Sequence, residues 1–295
     1  IATAIGDQSV KMLVNPAAGA RMAVGETLTN MVWARIDDPE QIKCSANWMW
    51  APKLPGEGAA IYEAAQAMGN IMIDVGMAAD GGKDSLSMAT MVGDETVKSP
   101  RELVISAYAA VPDIRKIITP DIKAPGSVLL FIDLAAGRNR LGGSALAQVH
   151  RQVGDESPDV DDTALLKNGF RAVQELIARE LITAGHDRSD GGLITTLLEM
   201  AFSGNCGFKL SLNGDDNVFE TLFSEELGLV VECSEENQGA VKEILADAGL
   251  VCENLGRATE EKQISVGYNG RSVLDEKMVV LRDWWEETSY QLDRL

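Results

Sequence analysis

Apolar residues recur at helical spacing over 59–74, where Ile61, Ala64, Ala65, Met68 and Met72 share one face. A second helix is expected over 16–35, with Met22, Leu28, Met31 and Val32 available for burial. Asn15-Pro16 opens it, because Asn caps a helix and proline fits its first turn. Residues 41–50 alternate loosely and read as a strand, and 55–58 read as a turn. A short strand over 75–79 should enter a glycine loop, and strands over 86–92 and 103–111 should pair. Three prolines, Pro112, Pro120 and Pro125, closed by Gly126, mark a domain boundary.

Beyond the boundary, 127–134 reads as a buried strand, 141–149 as a turn and short helix, and 162–181 as a long helix. A strand then leads into a second glycine loop, followed by a helix over 193–202. Strands at 208–212 and 227–231, a helix at 238–248, and strands near Val251, Ile264 and Val273 complete the pattern. The tail, 275–292, is amphipathic and helical. The first half gives β and α elements in an α+β order, with domains at 1–120 and 121–295.

The composition, 45% hydrophobic and 24% charged, is that of a globular chain with a sizeable core. A net charge of −19 argues against nucleic acid or an anionic membrane as partner, since like charge repels both. No apolar run is long enough to span a membrane, and a cytoplasmic protein is expected. Cys44, Cys206, Cys233 and Cys252 lack metal-type spacing and read as reduced thiols, and two histidines are too few for a multi-His zinc site. The chain opens on Ile1 with no signal-peptide pattern, as expected of a piece from within a longer polypeptide.

The candidate chemistry sits in two glycine-acid segments about a hundred residues apart. One is Gly81-Gly82-Lys83-Asp84-Ser85-Leu86-Ser87-Met88; the other is His186-Asp187-Arg188-Ser189-Asp190-Gly191-Gly192-Leu193. Paired glycines let backbone N–H groups approach a phosphate, and carboxylates hold the Mg²⁺ that accompanies it. By pattern alone the first is also a tight turn, and the second a helix cap. Lys83 offers a point charge, while His186 is a general base or a structural hydrogen-bonding group. Glu26 and Asn30, four apart, share a helix face and suit a hard cation, or form an ordinary polar face. Gly142, Gly143 and Ser144 at a helix start are phosphate candidates or a plain strand-to-helix turn. Ser224-Glu225-Glu226 is a solvated loop by default, or a carboxylate pair for metal or catalysis. Trp48, Trp50, Trp284 and Trp285 are expected to pack rather than to stack on a ligand.

Six stretches in order, including Gly25-Glu26-Thr27-Leu28-Thr29-Asn30, Ser45-Ala46-Asn47-Trp48-Met49, both glycine-acid segments, Leu141-Gly142-Gly143-Ser144 and Trp284-Trp285-Glu286-Glu287-Thr288, closely resemble the formylglycinamide ribonucleotide amidotransferase family, in its large single-chain form. The resemblance runs over nearly the whole chain. It implies a ferredoxin-like N-terminal domain, truncated at its start and forming half of a barrel. An α/β C-terminal domain follows, as in the aminoimidazole ribonucleotide synthetase superfamily.

It also implies an ATP-dependent carbon–nitrogen ligase of purine biosynthesis that takes ammonia from glutamine. This chain would be the second synthase unit. Its partners would be the first unit and a glutaminase domain, and the open half-barrel would be prone to self-association. By the same resemblance Glu26, Asn30 and Asp187 are Mg²⁺ ligands and Ser189 contacts ATP or ADP. Gly191, Gly192 and Lys83 are further nucleotide candidates, and Lys83, Glu225 and His186 are candidates for catalysis. The alternatives are a non-catalytic nucleotide-holding scaffold and a free-standing relative such as a selenophosphate synthetase.

Overall fold

The computed structural model describes residues 1–295 except residue 216. In chain order the first sheet and its helices comprise β1 (Ala2–Asp7), α1 (Ser9–Val14), α2 (Pro16–Met31), β2 (Lys43–Met49), α3 (Glu57–Val75), β3 (Ala78–Ser85), β4 (Ala89–Val92), β5 (Glu95–Lys98) and β6 (Glu102–Ala109). The sheet runs β1-β6-β2-β3, antiparallel except for the β2–β3 pair, and β4 and β5 form a separate hairpin. Asn15 caps α2 as its sequence requires, accepting the N–H groups of Ala17 and Ala18. Alternation along β2 and β6 turns Cys44, Ala46, Trp48, Leu103, Ile105 and Ala107 into the core. The other face, including Ile5 and Tyr108, is left largely open.

Two expectations need correction here, and two elements went unread. The strand at 103–111 does not pair with 86–92: β6 lies between β1 and β2, while β4 pairs with β5. The first glycine segment is not a loop, because Gly81 to Ser85 continue β3 along the sheet edge. β1 and α1 carried no signal that was read. One is rich in Ala and Gly, and the other is too short for periodicity to show.

The second half comprises β7 (Val128–Asp133), α4 (Ala145–Val149), α5 (Thr163–Ala178), β8 (Ala184–Asp187), α6 (Gly192–Gly204), β9 (Gly207–Leu212), α7 (Val218–Phe223), β10 (Gly228–Cys233), α8 (Gln238–Asp247), β11 (Val251–Thr259), β12 (Gln263–Tyr268), β13 (Arg271–Lys277) and α9 (Met278–Leu292). Its sheet runs β13-β12-β9-β11-β7-β10-β8 and is mixed, with β12 parallel to β9. The central strands β7 and β10 are buried along their whole length, so they read as continuous apolar runs. One core cluster joins Met22, Leu28 and Val32 from the first half to Leu130, Phe170 and Leu229 from the second. The two halves therefore share apolar core.

Among the described residues no helix is long and apolar enough to cross a membrane. The four cysteines are free thiols, three of them buried. Trp48 and Trp50 pack as expected, but Trp284 and Trp285 are 69% and 54% exposed, with Trp285 tilted against Phe202.

Candidate functional site

β8 ends on Asp187, and the next residues turn the chain into α6. The turn needs glycine. Gly191 and Gly192 hold φ of +87° and +76°, and a Cβ on Gly192 would stand 2.6 Å from the Phe223 backbone. The loop is fastened by the segment that leads into β10. The Arg188 N–H donates to the Gly228 carbonyl at 2.7 Å. The Arg188 guanidinium, buried over the Phe131 ring, donates to the carbonyls of Glu226 and Leu227. Burial pulls its pKa down to about 10, against the pull of Asp133, Glu226 and Glu253, so it stays charged near neutrality. The Gly191 N–H donates to Glu225 Oε1 at 2.8 Å.

Ser224, Glu225 and Glu226 are all buried, which overturns their default reading as a solvated loop. Each carboxylate has a cation. Lys11 Nζ lies 2.7 Å from Glu225 Oε2, and Arg140 donates to Glu226. Burial pushes the Glu226 carboxyl above its ordinary pKa, while Arg140 pulls it back. Glu225 also accepts the Ala145 N–H at 2.7 Å.

The first half supplies the opposite wall. Gly6 brings β1 directly against α2, since a Cβ there would meet Ala23 and Thr27. The Asp7 N–H and Gln8 Nε2 both donate to Glu26 Oε2, at 2.7 and 2.8 Å. Burial nonetheless pushes the Glu26 carboxyl up to about 7; Asp190 adds to the rise and Lys11 opposes it. One turn further on, Asn30 gives its amide nitrogen to the Ile5 carbonyl and keeps its oxygen as the ligand-type atom. α2 touches β8, and Gly25 lets it approach the Leu227 side chain closely. Lys11 lies 3.9 Å from Asp190. Glu26 and the 187–192 loop thus border one junction between the two halves.

Two buried oxygens at this junction lack any partner, Asp187 Oδ2 and Gln8 Oε1. An orphaned buried carboxylate oxygen is costly, and a hard cation is the kind of ligand that satisfies it. Among the described residues no three His, Cys, Asp or Glu side chains stand close enough to hold a metal ion by themselves. The set expected from sequence is two carboxylates and one amide oxygen. The orphaned oxygen and the desolvated Glu26 fit a cation there.

His186 bridges Asp187 Oδ1 and Glu199 Oε2, each at 3.2 Å. Burial alone would lower its pKa, but the two carboxylates outweigh that and raise it to about 9. An imidazolium held in this way orients Asp187 and is no general base at neutral pH. Ser189 is half-buried beside it, and its carbonyl accepts the Gly192 N–H.

The N–H groups of Gly142 and Gly143 donate to the carbonyls of Glu156 and Val153, at 2.8 and 2.6 Å. The Ser144 N–H donates to Leu141. These groups, like those of Gly191 and Gly192, are bonded inside the chain, so the segment is a closed brace as it stands. The glycines serve packing: Gly143, with φ of +72°, would bring a Cβ within 2.8 Å of Lys11 Cα. Lys83 is exposed on β3, where its ammonium donates to Ser85 Oγ at 2.7 Å. Sequence reasoning missed Gln8, Lys11, Arg140 and Glu199. No local spacing could reveal them; Lys11 and Glu225 are 214 residues apart.

Residues 1–110 match the FGAR-AT PurM_N-like domain family, and residues 124–269 match the C-terminal domain family of AIR synthase related proteins. The whole chain is 54% identical to 21% of the probable phosphoribosylformylglycinamidine synthase, chloroplastic/mitochondrial, of Arabidopsis thaliana. It is 50% identical to 22% of the Homo sapiens phosphoribosylformylglycinamidine synthase. The chain therefore spans about a fifth of the length of these curated relatives. Thermotoga maritima PurL complexed with FGAR shares the fold, with a TM-score of 0.75 at 19% identity over 95% of this chain and 45% of that one.

Proposed function

The chain belongs to the phosphoribosylformylglycinamidine synthase family, and we propose that it supplies the Mg²⁺-nucleotide site of a second synthase unit. The first domain is taken as 1–120 and the second as 121–295. The observation that carries the reading is the buried, unpartnered Asp187 Oδ2 at the end of β8, a strand touched by α2, the helix that carries the desolvated Glu26. Relatives bear the synthase name, and Thermotoga maritima PurL is known as complexes with ATP and with FGAR.

In the proposed reaction ATP phosphorylates the amide oxygen of formylglycinamide ribonucleotide. Ammonia derived from glutamine then displaces phosphate, giving the amidine, ADP and inorganic phosphate. Mg²⁺, when bound, neutralises phosphate charge. Glu26, Asn30 and Asp187 would hold it; the His186 imidazolium fixes one Asp187 oxygen and leaves the other free. The Ser189 hydroxyl would donate to the nucleotide. A cytoplasmic location belongs to the same proposal.

Titration of ADP with Mg²⁺ tests the site. Asp187→Asn and Glu26→Gln should each weaken binding tenfold or more, as loss of a ligand does, and unchanged affinity in both refutes the assignment. Assay with ATP, Mg²⁺ and ammonium tests the division of labour, because this unit alone should yield no amidine. The open face of the first sheet, with Ile5 and Tyr108 exposed, should drive association with another such sheet, seen as a concentration-dependent sedimentation coefficient.

A further inference from the structure

Glu225 has no oxygen free to act on a substrate. Oε1 accepts two backbone N–H groups, Ala145 at 2.7 Å and Gly191 at 2.8 Å. Oε2 takes the Lys11 ammonium at 2.7 Å. The three partners come from three separate parts of the chain. Gly191 lies in the loop that follows Asp187. Ala145 opens α4 behind the Gly142–Ser144 turn. Lys11 sits on α1, close in sequence to Asp7 at the end of β1 and to Gln8, which bond Glu26.

Glu225 and Lys11 are each 3% exposed, so the ion pair is shielded from water. A shielded pair of this kind is weak evidence for stability, since desolvation offsets most of its attraction. It does fix geometry.

We propose that Glu225 is a positioning residue that locks the Asp187 loop to the wall carrying Glu26, so that the metal-binding oxygens of the two halves are held in register. This rests on the nucleotide–metal reading above. It replaces the expectation that Glu225 is catalytic. Two roles can be separated, because the two oxygens have different partners. A glutamine at 225 keeps a carbonyl oxygen for Ala145 and Gly191 but turns an NH₂ toward Lys11. Pairing it with methionine at 11 removes that clash and leaves the loop clamp intact. A leucine at 225 with methionine at 11 fills the same space and loses the clamp.

The test compares Glu225→Gln/Lys11→Met with Glu225→Leu/Lys11→Met. Both remove the buried charges, so both should fold. Two quantities are read: Mn²⁺ affinity, with the metal alone as probe, and amide exchange at Gly191 and Ala145. The glutamine pair should keep slow exchange at both amides and lose less Mn²⁺ affinity than the leucine pair. The leucine pair should lose affinity about tenfold or more, as when groups that orient metal ligands are removed, with faster exchange at both amides. The proposal is overturned if exchange at Gly191 is unchanged in the leucine pair, or if both pairs weaken Mn²⁺ binding alike. If the wild-type chain binds no Mn²⁺, the metal reading fails, and the exchange data still decide whether Glu225 clamps the loop.

Discussion

Two segments with nearly the same recipe, glycine pairs beside acids and serines, have opposite fates in this molecule. Gly81 to Asp84 lie exposed on the edge strand β3, which ends on a half-buried Ser85 to which Lys83 donates. Asp187 to Gly192 lie at the end of β8, also an edge strand but a largely buried one, and are tied down by Glu225, Glu226, Leu227 and Gly228. Composition did not set the difference. The partner segment did: 224–228 brings buried carbonyls and carboxylates to one loop, while the other faces solvent. A glycine-rich motif marks where backbone can come close to something. What it comes close to depends on the chain brought alongside.

The comparison can be broken most forcefully at Glu226. Glu226→Leu takes from Arg140 its buried carboxylate partner and from the buried Arg188 a facing negative charge, and should destabilise the fold by about 3–5 kcal/mol in urea unfolding. A loss below about 1 kcal/mol would mean that the loop does not depend on its brace. Next are the glycines themselves. Gly192→Ala places a Cβ against the Phe223 backbone at positive φ and should cost about 2–4 kcal/mol. Gly81→Ala, whose Cβ would sit 3.8 Å from Ser45 Oγ, should change stability by no more than about 0.5 kcal/mol. Equal effects at the two sites would erase the contrast.

A third expectation concerns pH. The folded Glu26 carboxyl is raised from 4.5 to about 7, so the native state holds this proton more tightly than the unfolded chain. Stability from this group is then complete below about pH 4.5 and falls as pH rises toward 7, by up to about 3 kcal/mol. Urea midpoints measured from pH 4.5 to 8 in wild type and Glu26→Gln should differ in slope, the variant being flatter. Identical slopes would place the desolvated acid elsewhere. The smallest effect is expected at Lys83: Lys83→Ala should leave stability within about 0.5 kcal/mol and Mg²⁺-dependent ADP affinity unchanged. A large loss of affinity would give the exposed segment a part in the same site.

Local signals carried much of the fold. Asn15-Pro16 fixed the start of α2, the apolar spacing from Ile61 to Met72 fixed α3, and Ser144 and Asp162 cap α4 and α5 as their sequences demand. Glu26 and Asn30 on one helix face, and an Asp–Gly–Gly loop after a strand, were legible for the same reason: each depends on residues within a turn or two. Strand partners were not legible, and 103–111 was matched to the wrong neighbour, because pairing is decided between segments far apart in sequence.

The sequence by itself determined where helices begin, which faces are apolar, and which residue types are available for a cation and a phosphate. Only the tertiary structure decided which of them meet. Glu225 and Glu226 read as a solvated pair because nothing nearby in the chain can neutralise them; Lys11 and Arg140 arrive from 214 and 86 residues away. Burying a carboxylate is tolerable only where such a partner arrives with it, and that is a property of the folded chain as a whole.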